Sequence, residues 1–222
     1  MRIAHISDTH IRNFDRQEQY KTIFESLYKS ARENKIEYII HTGDIAHMKT
    51  SISPEFVEIC SGFLRNLTDI APTYLILGNH DGNLRNSDRQ DALTPIVDAL
   101  SLENLFLLKN SGEYSVNEEL TLNVLSVFDT DNWVKTPSDD SKINIALYHG
   151  GIRGSQTDIG WDIKVDHDTG IFNPFDYAML GDIHKSNQVL DSEGRIRYAG
   201  STIQQDHGET PDKGYLIWDI KN

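Results

Sequence analysis

Glu37-Tyr38-Ile39-Ile40-His41-Thr42-Gly43-Asp44-Ile45-Ala46-His47 is the stretch on which the fold of this chain turns. Residues 37–41 form a short, largely apolar run of strand length, and Gly43 ends it just before an aspartate and, three residues later, a histidine. A carboxylate and an imidazole on a loop after a buried strand stand where open α/β sheets put their ligands, at the carboxyl ends of the strands. The same arrangement recurs on both sides. Upstream, residues 2–7 alternate into Ile3 and Ile6 and run into Asp8-Thr9-His10; downstream, Thr73-Tyr74-Leu75-Ile76-Leu77 runs into Gly78-Asn79-His80-Asp81. Later in the chain come His149-Gly150, Gly181-Asp182-Ile183-His184 and a Gly200-Ser201 turn.

Between these strands the apolar spacing becomes helical. Ile23, Phe24, Leu27 and Tyr28 recur at helical intervals across 16–33, and Ser53-Pro54-Glu55 opens a helix to about Asn66 with a cap residue followed by proline at the first position. A third helix is predicted at roughly 89–100. The β-α-β-α-β rhythm requires parallel pairing with right-handed crossovers, which brings the ligand-bearing loops to one edge.

The second half reads as strands at 105–108, 112–117, 120–127, 143–148, 175–180, 187–190, 195–199 and 214–220, with turns at Asn117-Glu118-Glu119 and Glu193-Gly194, and is expected to pair antiparallel. Long loops at 129–142 and 150–174 read as functional or mobile. Two strand sets covered by helices suggest a four-layer α/β/β/α sandwich, with 1–222 as one domain.

The motif residues define a chemistry. Asp8 and His10 lie two apart, so in a continuing strand both would face one metal ion. Asp44 is the natural bridging ligand, one carboxylate oxygen for each ion of a pair about 3.5–4 Å apart. Asn79 offers a neutral oxygen, and His149, Asp182 and His184 complete two shells from the second half. Mixed oxygen and imidazole ligation without thiolate points to manganese, iron, zinc or magnesium. Between two such ions water becomes a hydroxide near neutral pH, suited to attack on phosphorus. His80 is assigned as general acid, oriented by Asp81; His47 is assigned to a phosphoryl oxygen or the leaving group. His5, His41, His167 and His207 read as structural, and Cys60 as a buried structural thiol.

Composition adds one tension. With 21 basic and 34 acidic residues the net charge is −13, so a polyanion would need a local basic patch, for which Arg12, Lys49, Arg85, Arg89, Arg153 and Lys185 are candidates near the motif loops. No apolar run reaches the ~20 residues of a membrane helix. The start, Met1 to Ser7, runs directly into a functional loop, so an intracellular, cytoplasmic or nucleoid-associated, protein is expected.

At these residues the chain resembles the calcineurin-like metallophosphoesterases, with a pattern of D-x-H, G-D-x-x-H, G-N-H-[DE], H-G and G-H-x-H. The ending Tyr198-Ala199-Gly200-Ser201-Thr202-Ile203-Gln204-Gln205, then Gly208-Glu209 and Lys213-Gly214-Tyr215, is similar to the SbcD-type DNA double-strand-break repair nucleases. The resemblance implies a metallophosphoesterase sandwich of two mixed sheets flanked by helices, with DNA as substrate and exonuclease or endonuclease activity in DNA repair or recombination. By this likeness Asp8, His10, Asp44 and His184 would bind one metal, Asp44, Asn79, His149 and Asp182 the other, and His80 would carry the catalytic histidine role. Asp182 stands where the pattern usually has histidine; the harder, more negative site favours manganese or magnesium over zinc. Family members generally continue into a DNA-capping domain and a segment binding an SbcC-type ATPase, whereas this sequence stops at Asn222, as an excised catalytic domain or a minimal nuclease relying on another subunit would. The 89–100 helix corresponds to the region through which that family dimerises, so a homodimer is an open expectation beside intrachain packing. A phosphatase or phosphodiesterase for a smaller substrate, and a non-catalytic scaffold, are the alternatives.

Overall fold

In a computed structural model, described for residues 1–163, 165 and 167–220, the chain forms two sheets packed face to face. The first is built from β1 (Arg2–Ile6), β2 (Tyr38–His41), β3 (Thr73–Leu75), β4 (Leu105–Leu107) and β11 (Leu216–Asp219), in the order β11-β1-β2-β3-β4. β1 to β4 run parallel, and β11 closes the edge antiparallel to β1. The second holds β5 (Gly112–Ser115), β6 (Leu120–Leu125), β7 (Ile143–His149), β8 (Tyr177–Gly181), β9 (Gln188–Val189) and β10 (Ile196–Tyr198), in the order β5-β6-β7-β8-β10-β9.

The expected antiparallel second half is corrected here. β6, β7, β8 and β10 run parallel, and only the outer pairs β5–β6 and β9–β10 are antiparallel. Those outer pairs are the ones joined by the short turns read from the sequence. The long segments at 126–142 and 150–176 are crossovers, and parallel neighbours need connections of that length.

Helices α1 (Gln17–Glu33), α2 (Pro54–Thr68) and α3 (Thr94–Leu100) all cover the outer face of the first sheet. Ser53 caps α2 as expected, its Oγ accepting from Phe56 N at 3.1 Å. α3 starts five residues later than expected because Asp91 takes the amides of Leu93 (2.9 Å) and Thr94 (2.7 Å) and so sets the helix start. Ile3, Ile40, Ile76, Leu122, Ile145, Leu147 and Met179 fill the layer between the sheets. The last layer consists of the crossover loops with 3-10 turns at Thr130–Asn132 and Thr169–Phe172, packed through Phe172 and Phe175 on Ala146, Tyr148 and Leu180. Cys60 is fully buried in the helical layer, and burial raises its thiol pKa. No described helix is long and apolar enough to cross a membrane.

Candidate metal centre

Both sheets direct the carboxyl ends of their parallel strands to one rim. The loops after β1 and β2 stay paired beyond the strands: Asp8 N donates to Gly43 O (3.1 Å), His10 N to Asp44 O (2.9 Å) and Ile11 N to Ile45 O (2.7 Å). The strand geometry expected at Asp8 and His10 does not continue. Both adopt positive φ, 50° and 46°, as do Asp44 at 59° and Asp182 at 86°. These left-handed turns aim four expected ligands inward, and such strain persists only where surrounding bonds over-determine it. At Gly78 a Cβ would stand 2.1 Å from Asp44 Oδ1, so the β3 loop reaches the carboxylate only with glycine there.

The expected ligands come together. Asp8, His10 and His184 offer ligand atoms within 4.8 Å of one another, as do Asp8, Asp44 and His149. Asp8, His10, Asp44 and His149 are between 0% and 3% exposed. Asp44 Oδ2 lies 3.5 Å from His10 Nε2 and 3.3 Å from His149 Nε2. His149 Nε2 is 3.4 Å from Asn79 Oδ1 and 3.8 Å from Asp182 Oδ1, and His184 Nε2 is 3.2 Å from His10 Nε2. Asp44 Oδ1 accepts from His80 N at 2.7 Å, and Oδ2 is the oxygen that faces both histidines.

The tautomers show that this cluster suits cations. His149 Nδ1 donates to the Thr42 carbonyl at 2.6 Å and His184 Nδ1 to Glu209 at 2.6 Å, so in the neutral rings both Nε2 atoms present lone pairs. Lone pairs of imidazole, carboxylate and amide thus converge on one another, and burying carboxylates this way is unfavourable without positive charge. The residues fit a divalent pair. In the metal-free protein, protons take that part: burial opposes it, but Asp44, Asp8 and Asp182 raise the His149 pKa well above its ordinary value. Burial pushes Asp8 up to about 6, with His149 and His184 pulling it down. Burial also pushes His10 down to about 3 although Asp44 pulls the other way.

Asp81 does not orient His80. Its carboxylate is fully buried and accepts the backbone amides of Asp44 (2.7 Å), Ala46 (2.8 Å) and Gly78 (2.9 Å), tying the β2 and β3 loops together. The expectation failed because adjacency in sequence does not set side-chain direction at a turn. His80 is held instead by the His47 carbonyl, 2.8 Å from Nδ1. Ring nitrogens of His10, His47 and His80 lie within 4.8 Å of one another, which brings both proposed catalytic histidines to the rim of the cluster.

Several supporting groups escaped the sequence reading. Glu209, with a side chain 7% exposed, holds His184 and also binds Lys213 Nζ (3.2 Å) and Gln205 N (2.8 Å); its pKa falls to about 2 because these partners outweigh its burial. Ser7 Oγ donates to Asp8 at 2.6 Å. His41, read as structural, accepts Gly43 N at Nδ1 (3.2 Å) and meets Thr9 Oγ1 at 2.7 Å, so it braces two ligand loops from beneath. Of the candidate cations, Lys49 binds the Asn79 carbonyl at 2.8 Å, and Arg12 reaches the Gln205 carbonyl at 3.2 Å beside Arg16, which was not among the candidates. Arg153 pairs with Asp168 and Lys185 with Gln156.

Comparisons with known proteins give relatives, a fold neighbour and a family. The chain is 39% identical over 236 residues to an uncharacterized protein of Acanthamoeba polyphaga mimivirus, covering 98% of this chain and 17% of that one. It is 24% identical over 243 residues to the DNA double-strand break repair protein Mre11 of Methanococcus maripaludis (99% and 63% covered). It is also 24% identical over 253 residues to the SbcD component of the nuclease SbcCD of Staphylococcus saprophyticus (100% and 66%). The chain therefore spans less than two thirds of each of these relatives. A structure of GAP50, the anchor in the inner membrane complex of Plasmodium, matches in fold with a TM-score of 0.52 at 13% identity, covering 98% of this chain and 80% of that one. The calcineurin-like phosphoesterase family matches residues 1–186, the span that carries every converging ligand described above, and the chain belongs to that family.

Proposed function

We propose that this chain is a metal-dependent phosphodiesterase acting on DNA. The observation that carries the reading is the convergence of lone-pair donors on Asp44 Oδ2 with the His80 ring beside them. Asp8, His10, Asp44 and His184 would hold one cation, and Asp44, Asn79, His149 and Asp182 the other. When bound, the pair supplies Lewis-acid chemistry, lowering the proton affinity of water and polarising a phosphoryl oxygen. Manganese is the favoured ion because Asp182 adds a hard carboxylate.

The chain's own residues do the rest. His80 Nδ1 donates to the His47 carbonyl, which leaves Nε2 as the nitrogen that acts; as the imidazolium the ring gives its Nε2 proton to the leaving oxygen and ends neutral. His47 is the second imidazole at the rim, suited to a phosphoryl oxygen. Asp81 keeps the Asp44 and Asn79 loops in register.

DNA as the substrate is supported by the names of the two 24%-identical relatives and by the 198–215 segment, whose Glu209 and Lys213 are built into the support of His184. Lys49, Arg12 and Arg16 provide local positive charge that the net −13 lacks. The test is incubation with manganese and labelled single- and double-stranded DNA: cleavage that disappears in His80→Ala is expected, and its absence would end the reading. The net charge favours one alternative, a phosphodiesterase for a small substrate; turnover of bis-p-nitrophenyl phosphate with DNA left intact would establish that one instead.

A further inference from the structure

A cavity of 310 Å³ opens beside the metal centre, with Asp182, Ile183 and His184 on one side and Asp158, Ile159 and Ile163 on the other. The second wall belongs to a small hairpin closed by a bridge between Gln156 and Asp162, with Thr157 N donating to Trp161 O at 3.0 Å and Gly160 at φ 82°. Its tip leaves Ile159 59% and Trp161 72% exposed. The hairpin is nevertheless anchored: Asp158 pairs with Lys213 at 3.2 Å, with side chains 6% and 4% exposed, and Lys213 joins Glu209, which holds His184. One uncovered apolar side chain, Ile159, is thus fixed in the same cavity as the ligands Asp182 and His184.

The charges decide what fits. Among the described residues no lysine or arginine lines the cavity while Asp158, Asp182, Asp206 and Glu209 do, which disfavours a phosphate there. Asp158 and Glu209 are already paired with Lys213 and His184. Asp206 also faces the cavity, and among the described residues the one contact of its carboxylate is Gly208 N, 2.7 Å from Oδ1. An aliphatic wall with a carboxyl acceptor on its rim, continuous with the proposed phosphate-handling centre, matches a flat neutral ring with N–H groups on its edge. We infer that this cavity takes the nucleobase attached next to the reacting phosphate, with Ile159 packing on its face and Asp206 accepting from its edge; the inference rests on the phosphodiesterase reading. It makes the enzyme selective for nucleotide esters over phosphate esters without a base.

Calorimetric titration of the manganese-loaded protein with deoxyadenosine 5′-monophosphate and with 2-deoxyribose 5-phosphate tests it. The nucleotide should bind about tenfold tighter, a difference of about 1.4 kcal/mol. Ile159→Ala, at an exposed position that does not threaten folding, should remove most of that gap and leave the sugar phosphate's affinity unchanged; Asp206→Asn should weaken the nucleotide alone. Equal affinities in the wild type, or a gap that survives both substitutions, would overturn the assignment even if DNA is cleaved. Conversely, loss of DNA cleavage with the base preference intact would reject the DNA reading and keep the cavity.

Discussion

Replacing Asp81 separates two readings of the same residue. If it orients His80, as its position in Gly78-Asn79-His80-Asp81 suggests, its loss lowers turnover and leaves stability alone. The structure requires the reverse, because its carboxylate is the acceptor for the amides of Asp44, Ala46 and Gly78. Asp81→Ala orphans three buried N–H groups at about 1–3 kcal/mol each, so a loss of about 3–9 kcal/mol is expected, a large part of the ~5–15 kcal/mol typical of a domain. Asp81→Asn is milder. Its oxygen can keep the Asp44 and Gly78 amides, which share Oδ2, and only Ala46 N faces the new NH₂ group, for about 1–3 kcal/mol. Burial and the Asp44 charge push the Asp81 pKa up to about 7 in the metal-free protein, so the folded state binds this proton more tightly than the unfolded one. The stabilisation from that proton is complete below the unfolded pKa of about 4 and lost as pH rises through 7, and the gap between wild type and Asp81→Asn should narrow over that window. Urea unfolding of metal-free protein at pH 5, 6, 7 and 8, followed by tryptophan fluorescence, measures all of this. Stability of Asp81→Ala within about 1 kcal/mol of wild type would refute the reasoning, being below the loss from one orphaned amide.

Three further outcomes follow from the same geometry. Asp44→Asn should abolish binding of both metals, since one oxygen faces both histidines, whereas His80→Ala should keep the metals and lower turnover by about 10²–10⁴-fold; equal metal loss in the two, measured by elemental analysis, contradicts the division of roles. Glu209→Gln removes the ionised partner of His184 and should weaken metal affinity by about 10–100-fold, with activity largely restored at saturating manganese; an unchanged manganese titration curve would show that Glu209 does not tune the ligand. Chelation should lower the melting temperature, and manganese at 100 times its Kd should return about 2.7 kcal/mol. Because the metal-free His149 pKa is raised, its pairing with Asp44 stabilises at and below neutral pH and is lost as pH rises through the shifted value, so the benefit of manganese should grow toward alkaline pH in thermal melts.

Much of the fold was legible in the residues themselves. Alternation in 2–7 and the runs before Gly43 and Gly78 announce β1 to β3, helical spacing announces α1 and α2, and the loops that end these strands carry Asp8, His10, Asp44 and Asn79. The pairing of the second half was not legible, because direction is set by where a crossover lands and not by the periodicity of the strand. β7 and β8 deliver His149, Asp182 and His184 to the rim only because they run parallel to β6 in the second sheet.

What the amino-acid sequence by itself determined was the inventory: carboxylates, imidazoles and an amide on loops after strands, a chemistry that follows from residue type and spacing. Tertiary structure alone decided how each one faces. It turned Asp8, His10, Asp44 and Asp182 inward through left-handed backbone, assigned Asp81 to three amides in place of His80, and brought Glu209 against His184 from 25 residues away. Those outcomes depend on hydrogen bonds between segments distant in the chain, and local sequence carries no record of which donor will meet which acceptor once the loops have closed.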